Sequence, residues 1–178
     1  MRLILLRHGE TKEERKGIIL GRLHGTLSDE GKEQAKRVAE IIRLASPQPE
    51  IIISSDLGRA VDYATIIGRA LKLKIELEPL ARERSAGEAE GMTQDKIDWG
   101  AYEKMPKPLR KHAGGESFED VQNRAKEFLK KRETLPFQTA LLVSHSAFLA
   151  MLATEIYGWT IDDALNYEFR NPLIVDIN

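Results

Sequence analysis

The sequence predicts an α/β fold, a three-layer α/β/α sandwich around a mostly parallel sheet. Three observations carry that prediction. Short apolar runs alternate with longer amphipathic ones along 178 residues, the rhythm of strand–helix–strand units. The apolar runs are continuous rather than alternating, as in strands buried on both faces. Three of them also end abruptly in polar or charged residues. That is expected where strands of an open sheet deliver side chains to a ligand crevice at their carboxyl ends.

Taken in order, residues 3–6 (LILL) form the first strand, running into Arg7, His8 and Gly9. Ser28 is the N-cap of a helix in which Ala35, Val38, Ala39 and Ile42 recur at helical spacing, and Pro47 and Pro49 close the segment. Residues 51–54 (IIIS) are a second buried strand, rich in β-branched side chains. A helix follows over 58–72, with Ala60, Ala64, Ile67 and Leu71 on one face, and then a short strand within 74–80. Ser117 caps an amphipathic helix over 117–133 that turns Val121, Ala125, Phe128 and Leu129 inward. Residues 139–144 are a continuous apolar strand reaching His145. A buried helix from Ser146 is ended by Gly158, and residues 173–177 form the last strand. Residues 84–114 hold glycines and prolines and little apolar periodicity. They read as an excursion that covers the active site, within one domain spanning 1–178.

Composition removes several classes of function. With 42% hydrophobic and 31% charged residues the chain is an ordinary globular one. A net charge of −1 gives no basis for bulk attraction to nucleic acid or membrane. There is no cysteine, which excludes disulfides, thiol catalysis and Cys-ligated zinc. The N-terminus lacks the apolar core of a secretory signal, and no run is long enough to span a bilayer. These features fit a cytoplasmic protein that takes a small-molecule partner and neither nucleic acid nor membrane; the oligomeric state is open. No Walker or dinucleotide pattern and no H-x-H or H-E-x-x-H cluster is present, so neither a metal nor a cofactor is expected.

The strand ends place Arg7 and His8, Ser55 and Asp56 with Arg59 close behind, and His145 on one rim. Phosphate monoester chemistry needs such a set. Arginine forks bind phosphoryl oxygens bidentately. A neutral imidazole attacks phosphorus to give a phosphohistidine, and neighbouring arginines favour that neutral form. His145 binds phosphate either as a cation or as a neutral donor. The leaving oxygen needs a proton, for which 81–91 offers Glu83, Glu88 and Glu90. A carboxylate gives one only when protonated, a state that a nearby phosphate dianion favours. In an extended segment Arg82 and Arg84 point away from Glu83. His24 and His112, beside glycines in loops, are read as surface residues, and the run 104–112 as a solvated basic segment.

Taken together, LILLRHGET, GRLHGTLSDEGKEQA, SSDLGRAVDYA, RERSAGEAEGMT, GGESFEDVQNR and LLVSHS resemble, in order, the landmarks of the histidine phosphatase superfamily, the phosphoglycerate mutase-like family. The resemblance covers nearly the whole chain. It implies a phosphoglycerate mutase-like fold and no cofactor. It makes His8 the phosphoryl acceptor and Glu83 the proton donor, with Arg7, Arg59 and His145 completing the catalytic pocket. The implied substrate-binding set is Arg7, His8, Thr11, Gly21, Arg59, Glu83, His145 and Ser146.

Two departures matter. Where many relatives carry a phosphate-contacting asparagine, this chain has Glu14. A carboxylate beside a dianion is repulsive, so Glu14 is expected to point away, with Thr11, Lys12 or Arg15 supplying the contact. Where glycine often follows the second histidine stands Ser146, read chiefly as a helix cap. The resulting expectation is a metal-independent phosphatase of small phosphorylated metabolites. The alternatives are a phosphoglycerate mutase, a protein-phosphohistidine phosphatase, or a phosphate-binding scaffold without turnover. Lys12, Arg15, Arg22, Arg84 and Lys104 suggest a substrate with more than one negative group.

Overall fold

The computed structural model describes residues 1–132 and 136–177. Five strands form one sheet: β1 (Arg2–Arg7), β2 (Ile51–Ser54), β3 (Ile75–Leu77), β4 (Thr139–Ser144) and β5 (Leu173–Asp176), in the order β3-β2-β4-β1-β5. The β1–β4, β2–β4 and β2–β3 pairs are parallel, and β5 runs antiparallel to β1 at the edge. The sandwich predicted from the apolar runs is therefore present. The last predicted strand is the one that breaks the parallel order.

Alternation along each strand divides the core in two. On one face Leu3, Leu5, Ile53, Ala140 and Leu142 pack against α4 (Phe118–Arg132) and α5 (Ser146–Tyr157) through Val121, Ala125, Phe128 and Phe148. On the other, Ile4, Leu6, Ile52, Leu141 and Val143 meet α1 (Asp29–Leu44) and α2 (Gly58–Leu71) through Val38, Ile42, Ala64 and Ile67. α5 is buried from Ala147 to Thr154 because the sheet, α4 and the short α6 (Ile161–Asn166) pack around it.

Helix ends follow their sequence signals. The Ser28 Oγ accepts from the Gly31 amide at 3.0 Å. Ser117 and Asp120 cap each other's backbone reciprocally, at 2.9 and 3.1 Å. Gly158 ends α5 in the left-handed region, at φ 67°. Glu133, the last residue of the helix predicted over 117–133, lies outside the described residues.

Adjacent strands β1 and β4 send the chain to opposite faces, β1 toward α1 and β4 directly into α5. Their pairing aligns Arg7 with Ser144, and the His8 amide donates to the Ser144 carbonyl at 3.0 Å. This divergence opens a crevice at the carboxyl ends of the strands. The segment 84–114 is largely irregular, with three short 3-10 turns and one five-residue helix, α3 (Trp99–Glu103). Among the described residues no helix is long and apolar enough to cross a membrane.

Candidate active site

The crevice is a cavity of about 370 Å³ lined by Arg7, His8, Glu14, Gly21, Arg59, Glu83, Arg84, Gln94, Ser146 and Ala147, among others. Three strand ends and two loops converge there. β1 delivers Arg7 and His8, and the turn after β2 leads into Arg59 on α2, whereas β4 ends in His145, which is fully buried beside His8 and outside the cavity lining. Glu83 comes from the loop after the 3-10 turn Pro79–Ala81.

His8 is buried, at 4% exposure. Its Nδ1 lies 2.7 Å from the Gly9 carbonyl, which only a protonated nitrogen can approach, so Nδ1 carries the hydrogen. Nε2 is left with its lone pair, toward which Arg59 Nε donates at 3.0 Å. Burial first, then the Arg59 and Arg7 guanidiniums, hold the imidazole well below the ordinary histidine value of 6.5. The free protein therefore presents a neutral His8 whose Nε2 carries the lone pair. His145 is fully buried, with its ring 5.0 Å from that of His8. Its Nε2 is 2.8 Å from the Ser55 hydroxyl, and its Nδ1 is buried without a partner. Burial, then Arg59 and His8, hold it well below 6.5 as well, so without ligand it is neutral rather than cationic.

Arg59 is almost wholly buried. Besides His8 it donates to the carbonyls of Gly21 at 2.9 Å, His24 at 3.3 Å, and Leu23. The loop 21–24 is thus folded onto the guanidinium. Gly21 fits at φ +48°, where a Cβ would collide with the Glu90 side chain. His24 has a second job beyond the surface role read from the sequence. Its Nδ1 accepts the Gly58 amide at 3.0 Å, tying the loop to the start of α2.

Of the three candidate acids, only Glu83 lines the cavity. Its Oε1 accepts the Arg84 amide at 2.8 Å and the Ala147 amide, at the start of α5, at 3.1 Å. Glu90 is occupied by the Arg22 and Ala86 amides, each at 3.0 Å, and Glu88 is exposed. Arg82 turns away to a bidentate pair with Asp56. Arg84 does not turn away: it lines the cavity, with its guanidinium 4.4 Å over the Phe118 ring.

Several expectations need correction. Glu14 does not point away. It lines the cavity with one oxygen paired to Arg7 Nη2, while the other accepts the Thr11 amide at 3.0 Å and hydroxyl at 3.3 Å. A half-buried guanidinium needs a partner, and Glu14 is placed to supply it. Thr11 is buried beneath Glu14, outside the cavity lining, and neither Lys12 nor Arg15 lines the cavity. Ser146 lines the cavity but is not the cap. His145 takes the N-cap position without a side-chain bond, and the Glu83 carboxylate serves the Ala147 amide. Arg22 and Lys104 lie outside the cavity lining, and Arg22 pairs with Glu116. Sequence reasoning misses Gln94 in the wall and Ser55 as partner of His145. No cluster able to hold a metal occurs among the described residues.

The family model of the histidine phosphatase superfamily (branch 1) matches residues 3–177. The chain belongs to this superfamily. The glucosyl-3-phosphoglycerate phosphatase of Mycolicibacterium vanbaalenii is 33% identical, over 91% of this chain and 76% of that protein. A probable phosphoglycerate mutase GpmB of Photorhabdus laumondii is 32% identical, over 96% of this chain and 81% of that protein. The solved mycobacterial glucosyl-3-phosphoglycerate phosphatase complexed with VO3 superposes with a TM-score of 0.79 at 29% identity, covering 92% of this chain and 85% of that one. The fold of this histidine phosphatase is thus that of its relatives.

Proposed function

We propose that this member of the superfamily is a metal-independent phosphatase that hydrolyses phosphate monoesters of small metabolites through a phosphohistidine. The observation that carries the reading is the placement of neutral His8 Nε2 beside Arg59 in a cavity that Glu83 also lines.

In the first step a phosphoryl oxygen takes the Arg59 Nε–H, which frees the Nε2 lone pair. Nε2 attacks phosphorus, and the ester P–O bond breaks. The electron pair leaves on the ester oxygen, which receives the proton from Glu83. Positive charge on the imidazole ring is stabilised by the Nδ1–H bond to the Gly9 carbonyl. In the second step water attacks phosphorus while Glu83 accepts its proton. The P–N bond breaks, and the pair returns to Nε2. Arg7 and Arg59 counter the phosphoryl charge throughout, with His145 Nδ1 as a further buried group for an oxygen. Phosphorylated metabolites are membrane-impermeant anions made in the cytoplasm, where we place the enzyme.

Rapid quench with a ³²P-labelled monoester in chelator tests this. The expected product is an acid-labile, alkali-stable phosphoprotein, formed by wild type and absent from His8→Ala. Phosphate release by His8→Ala at the wild-type rate would refute the assignment. The mutase reading rests on the likeness to GpmB. It predicts interconversion of phosphoglycerate isomers with little free phosphate, which the same assay distinguishes.

A further inference from the structure

We infer that Arg124 and Glu116 are positioning residues that hold Glu83 in line with the leaving oxygen. The inference rests on the reading of Glu83 as proton donor.

Glu83 belongs to a loop without strand or helix of its own, yet a general acid misplaced by about 1 Å loses on the order of 10²-fold in rate. Something must therefore fix the loop, and Arg124 on α4 does so. Its Nη1 donates to the carbonyls of Leu80 at 2.5 Å and Arg82 at 3.0 Å, and its Nη2 reaches the Glu83 carbonyl at 3.4 Å. The approach to Glu83 and Glu83 itself thus hang on one guanidinium. Glu116 fixes that guanidinium in turn, accepting from Nε at 2.9 Å and Nη2 at 3.0 Å. The Phe148 ring lies 5.5 Å from its centre.

Glu116 also grips the chain on the far side of Glu83. Its Oε2 accepts the Ser85 amide at 2.8 Å, and its own amide donates to the Ser85 carbonyl at 3.0 Å. The loop is held before, at and after Glu83. Both side chains are mostly buried, at 14% and 18% exposure, and neither lines the cavity. They act on the acid through the backbone, with no contact to substrate.

Only a planar fork can meet two carboxylate oxygens and three carbonyls together. Arg124→Lys keeps the charge and loses the fork. Glu116→Gln keeps the shape and replaces one acceptor with a donor.

The test uses two phosphate monoesters: an alkyl ester, whose alkoxide must be protonated to leave, and p-nitrophenyl phosphate, whose phenolate leaves unaided. kcat/KM is the readout, because it covers the steps up to departure of the leaving group and omits hydrolysis of the phosphohistidine. Arg124→Lys should lower kcat/KM for the alkyl ester at least ~10-fold and for the aryl ester less than ~3-fold. Inhibition by inorganic phosphate should be unchanged. In a Glu83→Gln background, Arg124→Lys should add less than ~2-fold, because the group it aims is gone.

Equal losses on both esters, or an undiminished alkyl penalty in the Glu83→Gln background, would overturn the inference and leave Arg124 a general stabiliser. If Arg124→Lys does not fold, Glu116→Gln carries the same comparison. If Glu83→Gln itself lowers the two esters alike, the reading of Glu83 as acid fails, and the inference fails with it at that identifiable point.

Discussion

Arg59 Nε donates to His8 Nε2 across 3.0 Å, so the residue that would clamp phosphate sits on the lone pair that would attack it. The pair is self-protecting in the free protein. A phosphoryl oxygen would compete with the imidazole for the guanidinium, because a charge-assisted bond between two ions is the stronger one.

Arg59→Lys should therefore not be conservative. The guanidinium reaches His8 and three carbonyls from one rigid plane, which an ammonium cannot do. We expect kcat/KM to fall by about 10² or more, the scale of losing a preorganised donor at a charged transition state. Steady-state kinetics would check this, and a loss under about threefold would contradict it.

Glu14 occupies Arg7 on the side of the cavity. A phosphate dianion bound to Arg7 there would meet that carboxylate and compete with it for the same fork. Glu14→Asn should remove the repulsion and strengthen inhibition by inorganic phosphate about tenfold, equivalent to about 1.4 kcal/mol. Weaker phosphate inhibition in Glu14→Asn would show instead that the carboxylate orients Arg7 usefully.

Gly21 holds Arg59 through its carbonyl at a left-handed φ, with no room for a side chain before Glu90. Gly21→Ala should destabilise the fold by about 1–3 kcal/mol and depress kcat/KM, because the Gly21–His24 loop and Arg59 shift together. Denaturant unfolding would measure the first and kinetics the second. Unchanged stability would mean that Glu90 swings aside freely.

His8 and His145 are buried and neutral, with folded pKa values well below 6.5. Unfolded, each binds a proton as pH falls through about 6.5. The unfolded state then holds more protons than the folded one. Stability contributed by the neutral imidazoles is present above 6.5 and is lost on acidification below it. Each histidine should add about 1.4 kcal/mol per pH unit to that loss. In urea unfolding between pH 6 and 5, His145→Gln should have a shallower slope than wild type by about one proton. An identical slope would refute the buried neutral state of His145.

Much of the fold and of the rim is legible in the order of residues. Continuous apolar runs such as 51–54 announce buried strands, and the Ser28 and Ser117 caps announce helix starts, because both signals are local. The rim holding Arg7, His8, Arg59 and His145 follows from the parallel-sheet rule together with the order of motifs. Glu14 defeats the sequence-based expectation because that expectation weighs its repulsion with a phosphate, while its partner in the fold is Arg7. Ser146 defeats it because the Ala147 amide at the start of α5 is taken by Glu83, 64 residues away in sequence. Extended-strand alternation sends Arg84 outward, but a loop bent by Arg124 and Glu116 does not follow that alternation.

The sequence by itself determined the layers of the fold, the identity of the imidazole and guanidinium groups, and the strand ends that carry them, since these depend on periodicity and on residue chemistry. Only the tertiary structure decided which nitrogen of His8 is free, which of three glutamates faces the cavity, and what Arg84 and Arg124 hold. Those outcomes depend on hydrogen bonds between residues far apart in the chain, whose partners are chosen by packing and have no local signal.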